Sequence, residues 1–89
     1  MMTAAQAKEK TKERLRVLAE EFILNNVGIP LQDAIDAGEF LCSVLFVGNE
    51  KLGAEVVSKL QDQGYVAKHV YYDNTNGYAN YISIEWENG

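Results

Sequence analysis

Tyr65-Val66-Ala67-Lys68-His69-Val70-Tyr71-Tyr72, then Asp73-Asn74-Thr75-Asn76-Gly77, then Tyr78-Ala79-Asn80-Tyr81-Ile82-Ser83-Ile84-Glu85-Trp86: this stretch decides the fold. Both flanks are rich in aromatic and β-branched residues, which suit a pleated surface. The link between them has turn composition, and Asn-Gly is a strong hairpin signal. A two-residue loop at Asn76-Gly77 sets Lys68 against Glu85, Tyr72 against Tyr81 and Val70 against Ser83 on one face. On the other face Tyr71 meets Ile82, His69 meets Ile84, and Ala67 meets Trp86. A four-residue loop sets Lys68 against Ser83 and loses the ion pair, so the two-residue loop is expected. Ile82, Ile84 and Trp86 then lie against the helices. Tyr72, Tyr81, Lys68 and Glu85 lie on the opposite face.

Working outward, Gly64 stops a helix that begins at an Asn49 cap and ends near Gln63. Leu52, Val56, Val57 and Leu60 line one side of it; Lys51, Glu55, Lys59 and Asp62 line the other. Before it, Phe40 to Val47 is almost continuously apolar and reads as a strand covered on both faces. A strand-helix-strand link is right-handed and parallel. Placing the last strand between the other two gives order 1-3-2, with that strand antiparallel to both. Residues 3–26 predict one long helix, with Thr3 as cap and Leu15, Leu18, Ala19, Phe22 and Ile23 as its docking stripe. Arg16 is expected to pair with Glu20 and Glu13 along this helix. Gly28 should end it in the left-handed conformation, and Pro30 should open a short helix closed by Gly38, giving a bent pair. The first turns of the long helix are polar all round and should project, to fray or to meet another copy. The expected class is α+β: a long and a short helix, then β-α-β-β with a three-stranded mixed sheet. The whole is a single domain over residues 1–89, with 39–87 as the body.

The chain has 89 residues and a net charge of −5, unevenly spread. Residues 1–16 hold five of the eight cations and two acids, giving +3, whereas residues 17–89 hold three cations and eleven acids, giving −8. An acidic body repels phosphates, so nucleic acid is disfavoured as a partner. No apolar run approaches the length of about 18 residues that reads as a membrane span. The opening residues lack the apolar core of a secretory signal. The single cysteine, Cys42, lies in an apolar run and reads as a reduced thiol, so a cytoplasmic setting is expected.

Chemistry-bearing motifs are sparse. His69 is the one histidine, and it is expected to be a partly buried sheet residue. Cys42 is adjacent to it or two strands away, depending on strand order, and a thiol inside an apolar strand is usually inert. Asp33 and Asp36 share a helix face that reads as solvated, and no ligand set for a metal is present. Gly48-Asn49-Glu50-Lys51-Leu52-Gly53 lacks the ending of a phosphate loop, and Glu50 opposes an anion. No catalytic residue and no cofactor is therefore expected. The hairpin aromatics carry most of the interest. Tyr72 and Tyr81 form an exposed pair, with Asn74, Asn76, Tyr78 and Asn80 near the turn, the residue types that adaptable binding surfaces use. The first strand adds either Leu41, Leu45 and Val47 or Phe40, Val44 and Phe46 to the tyrosine face. Unless the long helix covers that face, a second subunit or a partner should. A small nucleotide is the alternative occupant, with its base on the tyrosines and its phosphate on Lys12 and Arg16 of a neighbouring subunit.

The Lys/Glu-rich opening helix, the strand start at Gly64-Tyr65-Val66 and the ending Asn80-Tyr81-Ile82-Ser83-Ile84-Glu85-Trp86 together resemble the small acidic accessory proteins of bacteriophages and related mobile elements. The resemblance implies a non-enzymatic protein that binds a host component in the host cytoplasm. Proteins of that kind block a host enzyme or defence complex, or sequester a nucleotide signal. The expected role is protein–protein interaction with self-association; ligand binding follows, and an enzyme using His69 or Cys42 comes last.

Overall fold

The computed structural model describes residues 1–74 and 77–87, with the main chain alone for Asp73, Asn74 and Tyr78. The elements are α1 (Ala4–Asn26), α2 (Gly28–Asp36), β1 (Leu41–Leu45), α3 (Glu50–Asp62), β2 (Val66–Asn74) and β3 (Gly77–Glu85). The fold is α+β, and the sheet order is β1-β3-β2. Every hydrogen-bonded pair is antiparallel. The two strands that run parallel, β1 and β2, are held apart by β3.

Local chemistry accounts for most element ends. The Thr3 hydroxyl accepts from the Gln6 N–H while the Gln6 side chain accepts from the Thr3 N–H, a complete capping box. Asn49 caps α3 by accepting from the Leu52 N–H at 2.9 Å. Gly38 (φ 76°) and Gly64 (φ 92°) stop α2 and α3 in the left-handed region. Gly28 does not behave this way, contrary to expectation. It lies inside helical backbone, and Leu31 N–H still reaches the Val27 carbonyl at 3.0 Å. The chain bends instead because Pro30, third residue of α2, has no N–H for the Asn26 carbonyl.

All three helices lie on one face of the sheet. Ala19 of α1 and Val56 and Leu60 of α3 are buried with Val44 and Phe46, Ala67, Ile82 and Ile84 of the sheet side. The Phe22 ring of α1 meets Phe46 edge-on at 5.1 Å. Glu20 does not pair with Arg16 along its own helix. It takes Lys59 of α3 at 3.1 Å, because docking turns that part of α1 toward α3. Every residue from Met1 to Arg14 is exposed, so the first half of α1 packs on nothing.

The hairpin register differs from expectation by two residues. Lys68 faces Ser83, not Glu85; Tyr72 faces Ala79, and Tyr81 faces Val70. Asn74 pairs with Gly77, which places Gly77 in β3 and not in the loop, while Thr75 and Asn76 lie outside the described residues. The physical reason is the core. Asn80 is buried at 5% exposure and needs partners. The observed register makes it the diagonal neighbour of His69, whose Nε2 shares a hydrogen bond with the Asn80 Oδ1. An exposed Lys–Glu pair contributes at most about 1 kcal/mol, less than an unpartnered buried amide forfeits.

Candidate binding face

The slip is of two residues, which keeps the period of two, so every hairpin residue stays on its expected face. The face away from the helices is built in cross-strand rows. Leu45, Tyr81 and Val70 form one row, and Ala79 with Tyr72 continues past it. Ser43, Ser83 and Lys68 form the next, followed by Leu41, Glu85 and Val66. Among the described residues no helix covers this face, although Ser83 on the central strand is buried by its neighbours. Leu45 is 84% exposed, Val66 56% and Tyr72 50%. Of the two candidate sets on the first strand, Leu41 and Leu45 join the tyrosines, with Val47 exposed just beyond the strand end. Val44 and Phe46 belong to the core.

Tyr72 and Tyr81 share this face as diagonal neighbours rather than as a directly opposed pair, and only Tyr72 is exposed as expected, Tyr81 on the central strand being half-buried. Aromatic side chains still reach one another at that spacing. Asn74 and Tyr78 are directly across the next rungs of the ladder in main chain, at Gly77 and Asp73, and their side chains, like the whole of Asn76, lie outside what is described. Lys12 and Arg16 are exposed on α1, in the helical layer behind the sheet. Lys12 sits 3.6 Å from Glu9. Within one chain the two cations do not join the tyrosines.

The polar groups of the inner face are structural in their contacts. His69 packs edge-on against Phe46 at 4.9 Å. Its ring lies so close to α3 that only a glycine fits below it: a Cβ on Gly53 would stand 2.2 Å from the His69 Nδ1. Asn80, grouped by composition with the turn asparagines, is a core residue whose Nδ2 donates to the Gly48 carbonyl at 3.5 Å. Its place on the same face as Ile82 and Ile84 was the available signal. Cys42 lies two strands from His69, with Ile84 and Ile82 of β3 between their rows. Burial pushes its thiol up from the ordinary value, which disfavours the reactive thiolate. Among the described residues no helix is long and apolar enough to cross a membrane. No protein-family model, curated protein or solved structure matches the chain.

Proposed function

We propose that this chain is a non-enzymatic binding protein that acts through protein–protein contact, with the open sheet face as its docking surface. One observation carries the reading: all the helices pack on one side of a three-stranded sheet, leaving Leu45 and Tyr72 exposed on the other, with the half-buried Val70 and Tyr81 between them. Contiguous exposed apolar surface marks an interaction site in a folded protein. Tyrosine at the centre of such a patch is a typical anchor, because it offers area and a hydroxyl for little lost rotamer freedom. Ser43 and Lys68, exposed on either side of the buried Ser83, give the patch a polar margin. The resemblance to phage accessory proteins points to a host protein as the partner, met in the host cytoplasm. A nucleotide site would have to combine Tyr72 and Tyr81 with Lys12 and Arg16 across two chains, so it ranks second.

The test compares the wild-type chain with Tyr72→Lys and Leu45→Lys as bait in host lysate. Both side chains are at least half exposed, so both variants should keep the wild-type circular dichroism. A protein captured by the wild type and lost from both variants supports the reading. Identical capture by all three baits would refute it.

A further inference from the structure

We infer that β1 pairs with β1 of a second copy, antiparallel about a two-fold axis at Ser43, to make one continuous six-stranded sheet. The inference rests on the reading of this chain as an interaction protein and names its first partner.

The open edge of β1 is the starting observation. Phe46 N–H bonds the Asn80 carbonyl, and Trp86 N–H bonds the Phe40 carbonyl. In an antiparallel ladder these rungs alternate, so Phe40, Cys42, Val44 and Phe46 turn their main-chain groups toward β3. Leu41, Ser43 and Leu45 therefore turn theirs outward. Among the described residues no main-chain bond from outside the sheet reaches any of these three. All three side chains are exposed.

Natural sheets guard such an edge with lysine, proline or a bulge. The opposite edge strand, β2, carries Lys68 and Asp73. β1 is Leu-Cys-Ser-Val-Leu, with no charge and no proline. The unguarded edge is also self-complementary. About a two-fold axis at Ser43, Leu41 of one copy lies opposite Leu45 of the other, and Ser43 lies opposite Ser43. Each of those rungs exchanges both main-chain bonds, and like chemistry meets like with no charge pair to oppose it. Ser43 looks out on the uncovered face, so side-chain crowding from the helices does not intervene. The assembly leaves both docking faces open and joins them side by side.

One five-residue strand per copy buries less than a standard interface of about 1,600 Å². The dimer should therefore dissociate on dilution within the micromolar range. The experiment is light scattering coupled to size exclusion, run on wild type, Ser43→Lys, Ser43→Glu and an equimolar mixture of the two variants. Like charges directly opposite destabilise a rung, and opposite charges support it. Expected is a mass for the wild type that rises toward twice the 9.9 kDa chain. Each variant alone should be a monomer, with unchanged circular dichroism. The mixture should recover the dimer. A wild type that stays monomeric up to on the order of 1 mM, about the weakest pairing in the affinity scale, overturns the inference. So does a dimer that survives in both variants alone. Either failure leaves the docking-face reading standing if Tyr72→Lys still loses a captured protein. Loss of that reading leaves this one standing if Tyr72→Lys still dimerises.

Discussion

Gly53 is the fourth residue of α3, its N–H bonded to the Asn49 carbonyl; inside a helix glycine ordinarily costs about 1 kcal/mol relative to alanine. Here the sign should reverse. An alanine Cβ would stand 2.2 Å from the His69 Nδ1 and 2.8 Å from its Cγ and Cε1. The ring cannot swing away freely, because Phe46 meets it edge-on and Asn80 holds its Nε2. Gly53→Ala should lower unfolding free energy by about 1–2 kcal/mol, within the usual range for overpacking. The same change in a His69→Ala background should instead be neutral or stabilising. Urea denaturation of the four proteins in that cycle checks both signs. Cys42 supports a second prediction at this scale. Its thiol is pushed up by burial, so the folded state favours the protonated form. The linked stability is present below the ordinary thiol value and is lost as pH rises through the raised one. Alkylation by iodoacetamide at pH 8 should be slower in the native chain than in urea; equal rates would contradict the assignment.

The helices and strands show what could be read from residue order alone. Periodicity placed the residues of β2 and β3 on their faces, because the alternation of side chains is a property of the strand itself; on β1 it left two sets open, and the cover expected on both faces is absent from one, where Leu45 is 84% exposed. Strand order followed from the handedness of β-α-β links and from the hairpin. The register was harder to read. An exposed Lys68–Glu85 pair looked decisive, but the partner that mattered was Asn80, whose burial depends on α3 and Gly48 arriving from elsewhere in the chain. The uncovered face was half legible: its composition was visible, and whether α1 would cover it was not, since that depends on which side α1 docks. Two substitutions test the element-level account. Gly77 has φ 155°, outside the ordinary range of other residues, so Gly77→Ala should destabilise the hairpin by about 1 kcal/mol or more. A urea midpoint equal to wild type would contradict that. Thr3→Ala removes the capping box from a helix end that is exposed through Arg14. Helicity by circular dichroism should fall slightly, while the melting temperature stays within about 1 °C, because fraying there is uncoupled from the core.

For the molecule as a whole, charge sets a further constraint on self-association. Two chains of net charge −5 repel, while the paired β1 edges bring no charge to the contact. The dimer should therefore tighten as salt rises, because screening removes the repulsion and leaves the main-chain bonds. Had the basic first half of α1 been docked on the acidic body of a second copy, salt would loosen it. Sedimentation at 50 and 500 mM salt separates the two. The position of β3 has a consequence for how the protein is made. It is the last strand in sequence and the middle strand in space. Neither β1 nor β2 has a strand neighbour until β3 has left the ribosome. β1 must then be joined across more than forty intervening residues, from Leu41 to Glu85. During synthesis the chain thus passes through a stage in which its apolar strand is already outside the ribosome and wholly unpaired. Its safety in that interval depends on how quickly β3 follows it out.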